Sequence, residues 1–230
     1  MMLRFPGLRT LVGVACALAL SSVGGRASAV EITGAGQSFD ISLDGNIGGT
    51  DVAGLTGAAS FDVVSFNANQ IVLDVTLTNT SNSVLWQSAR ISAFGFNSDP
   101  NIVSASLSSD VFNNVILGGQ FPNGFGSIDL CVINNRNNCT GGRNGGLLIG
   151  RSETMQLTLN YNGPISSINF DNFGVRYQSL SSSQLGFNGA SGTGHGTVSN
   201  PIPEPRSTAL FLLGGLLVVG VVRKQVLTAR

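Results

Sequence analysis

Apolar and polar residues alternate along the middle of the chain with the period of two that is typical of β-strands. The clearest example is the run Ile71 to Thr78, in which Ile71, Leu73, Val75 and Leu77 share one face. Further strands are predicted at Arg90–Phe96, Ile102–Leu107, Ser127–Ile133, Thr154–Tyr161, Ile165–Phe170 and Val175–Ser179. Gly-, Asn- and Ser-rich segments separate them, and residues 30–200 contain no long apolar repeat with helical spacing. The pattern therefore predicts an all-β domain, a β-sandwich or jelly roll.

The N-terminal residues follow a different pattern, which is typical of a secretory signal peptide. Arg4 and Arg9 precede an apolar stretch from Leu11 to Leu20, and Ala27-Ser28-Ala29 fits a signal peptidase site. We therefore expect residues 1–29 to direct the chain through the Sec translocon and to be removed by signal peptidase.

The C-terminal residues 201–230 form a second segment with its own pattern. A Pro203-Glu204-Pro205 block leads into fifteen uncharged residues, 208–222, which end at Arg223 and Lys224. As a helix the uncharged run would span roughly 22 Å at ~1.5 Å per residue, somewhat less than the ~30 Å hydrocarbon core. The run predicts a short transmembrane helix whose basic end stays cytoplasmic.

This order of Pro-Glu-Pro block, apolar helix and basic pair resembles the PEP-CTERM sorting signal of Gram-negative bacteria. The resemblance implies that an exosortase, a membrane-embedded cysteine protease-transpeptidase, cuts the chain near Pro203-Glu204-Pro205. It also implies a brief stay in the inner membrane, followed by release in a bacterium that secretes exopolysaccharide. An ordinary C-terminal anchor that is never cut remains the alternative.

The sequence between the two terminal segments predicts a passenger domain at 30–185 and a flexible Gly/Ser-rich linker at 186–200. Residues 30–200 contain five basic and eleven acidic residues, which leave a net charge of −6. An acidic domain of this kind offers no basic groove for nucleic acid.

Two cysteines, Cys131 and Cys139, lie in the passenger domain, and a pair of cysteines in an exported protein most simply forms a disulfide. Closing so short a loop should stabilise the fold by about 2–3 kcal/mol at most. Together with the following Gly141-Gly142, the pair is similar to a subgroup of PEP-CTERM proteins called cisterns.

One stretch has the oxygen ligands of a calcium loop. Asp40, Ser42, Asp44 and Asp51 have suitable spacing, and Gly45 occupies the sixth position. However, the twelfth position lacks the usual glutamate, and the apolar residues between these positions alternate as in a strand. We therefore interpret the stretch as the polar face of a strand, expect no cofactor, and keep calcium binding as the alternative.

No set of residues indicates catalysis. His195 is the only histidine, and it lies in the Gly-rich segment predicted to be flexible, where a catalytic base would not be held in place. The chain also lacks a Gly-x-Ser-x-Gly elbow and a zinc-ligand cluster. The sequence therefore predicts a protein that is not an enzyme.

Two groups of residues are candidates for glycan contact. Arg136 lies between the two cysteines and Arg143 shortly after the second, and we hypothesise that they bind anionic polysaccharide, the alternative being a solvated loop. The aromatic candidates for stacking on sugars are Trp86, Phe94, Phe96, Phe121 and Phe125. Most phenylalanines should instead fill the core.

These features together predict an exported surface or matrix protein with a structural or adhesive role in an exopolysaccharide or biofilm layer. Two alternatives stay open: a carbohydrate-binding or carbohydrate-active module on the same scaffold, and a tail-anchored periplasmic protein that is never cut.

Overall fold

A computed structural model describes residues 29–134, 138–140 and 145–200 of the chain. The regular structure of this part consists of β-strands alone, which confirms the predicted all-β class. Nowhere in the same part does a helix occur that is long and apolar enough to span a membrane. The predicted sorting segment and all but the last residue of the predicted signal peptide lie outside the described residues.

The described residues form fourteen strands. In chain order these are β1 (Ala29–Ile32), β2 (Ser38–Leu43), β3 (Asn46–Ile47), β4 (Thr50–Asp51), β5 (Gly57–Asn67), β6 (Gln70–Thr78), β7 (Ser88–Asp99), β8 (Ile102–Ser108), β9 (Asn114–Phe121), β10 (Gly126–Ile133), β11 (Leu147–Leu148), β12 (Ser152–Tyr161), β13 (Ile168–Ser182) and β14 (Phe187–Asn200).

Ten of the strands form one continuous hydrogen-bonded path in the order β8, β12, β6, β5, β2, β14, β13, β7, β10 and β9. The short strands β1 and β11 pair with β13 and β7, and the β3–β4 hairpin attaches to β14. Neighbouring strands on the path are antiparallel. The sheet curls until its two end strands, β8 and β9, lie in contact, which gives a nearly closed, barrel-like shape.

The core lies inside the curled sheet, and the strand alternation determines which residues reach it. Along β6, all four apolar residues named above are fully buried, as their spacing predicts. Six phenylalanines from four strands meet at the centre, with ring centroids 4.5–6.5 Å apart: Phe39, Phe61, Phe94, Phe96, Phe170 and Phe173. The prediction that most phenylalanines fill the core is consistent with this cluster.

The outer face of β6 and its neighbours is polar and cross-linked by side chains. Hydroxyl pairs join Thr76 to Thr154 and Thr78 to Ser152, each at 2.8 Å, across the β6–β12 pair. These strands therefore bury one face in the core and expose the other to solvent.

Two of the predicted strands are parts of a single long strand. The segment predicted at 175–179 lies within β13, and the one predicted at 165–170 overlaps its start at Ile168; the pairing of β13 with β7 is irregular. Asn172 and Ser179 have positive φ values of 47° and 54°, so the strand bends without ending. Strand β9 was not predicted, because Gly118 and Gly119 interrupt its alternation.

The predicted linker at 186–200 is wrong. Residues Phe187–Asn200 form β14, which pairs with β13 through its first half and with β2 through its second half. The folded domain therefore extends to the end of β14, and β14 joins the two halves of the sheet.

The glycines of β14 allow close packing against neighbouring backbone. Because flexible linkers are also rich in glycine, composition alone does not distinguish this strand from a linker. A Cβ atom at Gly192 would lie 2.6 Å from the carbonyl oxygen of Asn46, and one at Gly194 would collide with the carbonyl oxygen of Asp44. A Cβ at Gly196 would lie 2.5 Å from that of Phe173. Glycine is therefore needed at every second position, because neighbouring atoms occupy the space of a side chain.

We expect Gly194→Ala to lower the free energy of unfolding by at least about 2 kcal/mol, because the added methyl group meets backbone that cannot rotate away. Gly34→Ala is the matched control, since a Cβ there meets nothing within 4 Å. Urea unfolding followed by circular dichroism measures both. Equal stabilities for the two variants would contradict the close approach at Gly194.

The two tyrosines of the chain are both buried, and they differ in hydrogen bonding. The hydroxyl of Tyr161 lies 3.1 Å from Ser98 Oγ, whereas the hydroxyl of Tyr177 has no hydrogen-bond partner among the described residues. Burial raises the pKa of Tyr161 to about 12. Burial, with a smaller contribution from the charge of Asp44, raises the pKa of Tyr177 well above its usual value of 10.

These pKa shifts predict alkaline unfolding. The folded chain retains phenolic protons that the unfolded chain releases, so the stabilisation is fully present below about pH 10 and is lost as the pH rises through about 12. Absorbance at 295 nm should stay low until circular dichroism reports unfolding. A normal titration near pH 10 with unchanged circular dichroism would contradict the burial, and Tyr177→Phe would assign the remaining signal to Tyr161.

Candidate functional site

The cysteine loop lies on the face of the sheet opposite to the main core. Cys131 on β10 and Cys139 in the following loop have Cα atoms 6.0 Å apart, at disulfide distance, which confirms the predicted pair. Both belong to a second apolar cluster, separate from the main core, whose buried members are Ala93, Phe121, Ile128, Cys131, Ile133 and Cys139. The disulfide therefore attaches the loop to an apolar patch on the outside of β7 and β10.

Two side chains of β13 hold the same loop from the other side. Arg176 Nε and Gln178 Nε2 both donate to the carbonyl oxygen of Thr140, at 3.0 Å and 3.1 Å. The guanidinium of Arg176 also donates to Gly192 O at 2.9 Å and to Ser191 Oγ at 2.7 Å. Arg176 thus connects the cysteine loop to strand β14.

The environment of Arg176 is unusual for a cation. Its side chain is only 7% exposed, and its hydrogen bonds reach carbonyl and hydroxyl oxygens, with no ion pair to a described carboxylate. Burial lowers its pKa, yet an arginine remains charged in any protein at neutral pH. The dipoles of these carbonyl and hydroxyl groups therefore stabilise the buried positive charge of Arg176 next to Thr140.

An open cleft of about 600 Å³ lies between this loop and the β9–β10 hairpin. Its lining is formed by Ile116, Gly118, Gly119, Gln120, Ser127, Ile128, Asp129, Asn138, Cys139 and Thr140. We call it the disulfide cleft. Gly118 has a φ of 68°, and a Cβ at Gly119 would collide with the sulfur of Cys139, so the disulfide lies directly on the β9 backbone.

Asp129 is the charged side chain among the described residues of the lining, and its position is fixed by β7. Regular pairing of β7 and β10 ends at Phe96 and Leu130. Beyond that point Asp129 Oδ2 accepts from the Ser98 N–H at 3.0 Å, and Asn97 Oδ1 accepts from the Asp129 N–H at 3.0 Å. Asp129 Oδ1 makes no hydrogen bond to a described residue, so it remains open to a ligand.

The candidate calcium ligands do not come together. Asp40 Oδ1 accepts from Ser60 Oγ at 2.7 Å, Asp44 Oδ1 from the His195 N–H at 2.6 Å, and Asp51 Oδ1 from Asn46 Nδ2 at 3.3 Å. Within the described part of the chain, no three His, Cys, Asp or Glu residues are grouped so that they could hold a metal ion.

The alternation of β2 accounts for this arrangement. Phe39, Ile41 and Leu43 are buried, whereas Asp40 is partly exposed and Ser42 is exposed on the other face. The interpretation of this stretch as a polar strand face is therefore the one that the burial supports.

His195 lies on β14 and not in a flexible linker. Its backbone exchanges hydrogen bonds with Asp44, at 2.6 Å to the carboxylate and 3.0 Å to the amide. Its exposed imidazole stacks on the ring of Phe125, with centroids 4.4 Å apart. The histidine therefore covers an aromatic ring at the tip of the β9–β10 hairpin.

The residues predicted to contact glycans differ in their position and exposure. Arg136 and Arg143 lie outside the described residues. Trp86, Phe94, Phe96 and Phe121 are buried and cannot stack on a sugar, because their faces contact protein. Phe125 is partly exposed, but His195 occupies one side of its ring.

The sequence alone identified the cysteine loop but not the cleft beside it. Gly118-Gly119 was the available signal, since two glycines directly after the apolar run Val115–Leu117 indicate a close backbone approach. The chain matches no protein-family model, and neither curated proteins nor solved structures gave a match to it.

Proposed function

We propose that this chain is an exported, non-enzymatic protein with a β-sandwich-like domain that an exosortase releases into an exopolysaccharide or biofilm layer, where it is structural or adhesive. The observation that carries the proposal is the tripartite segment of Pro203-Glu204-Pro205, the apolar run 208–222 and Arg223-Lys224. The Sec translocon and signal peptidase would act first, and the inner membrane would hold the tail until cleavage. The protein would then belong to the cell surface or matrix of a Gram-negative bacterium.

The boundary of the fold supports a removable tail. Strand β14 ends at Asn200, and Pro201 follows directly. A cut near Pro203-Glu204-Pro205 would leave all fourteen described strands intact. Release would therefore deliver a complete domain.

In this proposal, the same boundary would keep the domain close to the membrane before release. Seven residues, 201–207, separate β14 from the apolar run. Even fully extended they reach at most about 25 Å at ~3.3–3.6 Å per residue. The exosortase would therefore act on a short tether.

The signal-peptide boundary and the disulfide are consistent with export. Cleavage after Ala29 would leave Val30 as the first residue, inside β1, where it pairs with Phe170 of β13. A disulfide such as Cys131–Cys139 persists in oxidising compartments. The acidic domain also argues against nucleic acid as a partner.

A carbohydrate-binding module is the second candidate function, and the disulfide cleft is the observation that favours it. A mixed polar and apolar cleft of this size is suited to a small ligand. The third candidate is a tail-anchored periplasmic protein that is never cut, and the experiment below distinguishes it from the other two.

The proposal predicts two forms of the chain in its native host, a membrane form that keeps the tail and a lighter extracellular form that lacks it. Intact-mass analysis of extracellular material should show a form that ends near Pro203-Glu204-Pro205, because the exosortase removes the apolar run. A variant with alanine at Pro203, Glu204 and Pro205 should stay in the membrane fraction with its tail. If all extracellular protein retained residues 210–222, the exosortase assignment would be wrong, and an intact tail confined to membranes would indicate a permanent anchor.

A further inference from the structure

We infer that the disulfide cleft binds one or two units of a neutral saccharide. The inference deepens the proposed function, because such a site would hold a released domain in a polysaccharide layer. Its support is independent of the sorting segment and comes from the shape, chemistry and rigidity of the cleft.

The shape of the cleft suits a small polyhydroxylated ligand. Its volume of about 600 Å³ lies within the ~300–1,000 Å³ range of ligand sites in proteins. Gly118 and Gly119 contribute no side chains, and the partly exposed side chain of Ile116 supplies apolar surface beside them, whereas Ile128 and Cys139 are buried. That surface can contact the C–H face of a sugar ring.

The polar lining can bind the hydroxyl groups of the same ligand. Gln120 and Asn138 supply amides that donate and accept, and Ser127 and Thr140 supply hydroxyls. Asp129 supplies a carboxylate whose Oδ1 can accept from a sugar hydroxyl, and hydrogen bonds to charged groups are the stronger kind. This mixture of donors and acceptors matches vicinal hydroxyl groups.

The walls of the cleft are held in place before any ligand binds. The disulfide fixes Cys139, Arg176 and Gln178 hold the carbonyl of Thr140, and the Ser98 N–H holds the Asp129 carboxylate. Fixed walls reduce the entropy lost on binding. Arg176 is a positioning residue, because its guanidinium acts on the ligand only through the loop.

The charge of the lining favours a neutral ligand over an anionic one. Asp129 is a carboxylate, and none of the described lining residues is a lysine or arginine. A uronate or a sulfated sugar would meet like charge at Asp129. Arg136 and Arg143, predicted to bind anionic polysaccharide, lie outside the described residues.

The test uses the purified chain in detergent and two sets of probes, neutral hexasaccharides of glucan, mannan and galactan, and hexagalacturonate as the anionic arm. Isothermal titration should detect binding of at least one neutral probe. Ser127→Tyr should abolish binding by filling the cleft, and Asp129→Asn should weaken it about tenfold by removing the charge.

Ser106→Tyr is the matched control, since Ser106 is exposed on β8 and does not line the cleft, and binding should be unchanged. Circular dichroism establishes that each variant is folded, and Ser127→Tyr remains informative if Asp129→Asn is unstable. Absence of binding to every neutral probe, binding only to hexagalacturonate, or full binding by folded Ser127→Tyr would each overturn the inference. None of these results would alter the masses that test exosortase processing.

Discussion

The close approach of two backbone segments determines how the two halves of this sheet join. Residues 44–46 cross directly against β14, and the carbonyl oxygens of Asp44 and Asn46 occupy the space that side chains at Gly194 and Gly192 would need. Because of this contact, β14 can pair with β13 over its first half and with β2 over its second half. The two halves of the sheet then enclose a single phenylalanine-rich core.

One residue, Arg176, connects the strand that joins the two halves of the sheet with the disulfide cleft. Arg176 donates both to β14, at Gly192 and Ser191, and to the loop that carries Cys139, at Thr140. A cation with neutral partners only is costly to bury, so all of these acceptors must be in place together. The strand that joins the two halves of the sheet therefore also positions one wall of the cleft.

The alternation of apolar residues made the β class and most strands predictable, because burying one face of a sheet requires a period of two. β14 could not be identified in this way, since Gly192, Gly194 and Gly196 look the same in a flexible linker and in a tightly packed strand. What separates the two cases is the backbone of residues 44–46, which is distant in sequence.

The cleft could not be predicted from the sequence for a related reason. Its lining comes from β9, β10 and the cysteine loop, and the position of Asp129 depends on Ser98 and Asn97 of a third strand. The cysteine pair itself was predictable, because residues 30–200 contain two cysteines, which have one possible pairing. The spacing of Asp40, Asp44 and Asp51 suggested a calcium loop, but each carboxylate has a separate partner in the sheet.

Hydrogen exchange of the backbone amides in β14 tests most directly whether this segment is a paired strand of the sheet, because a strand and a flexible linker differ most in the protection of their amides. Mass spectrometry of peptides that cover Phe187–Asn200 should show protection comparable to that of β13, its hydrogen-bonded neighbour. Exchange of these amides at the rate of an unstructured peptide, while β13 stays protected, would contradict the closed sheet and the wall of the cleft that depends on it.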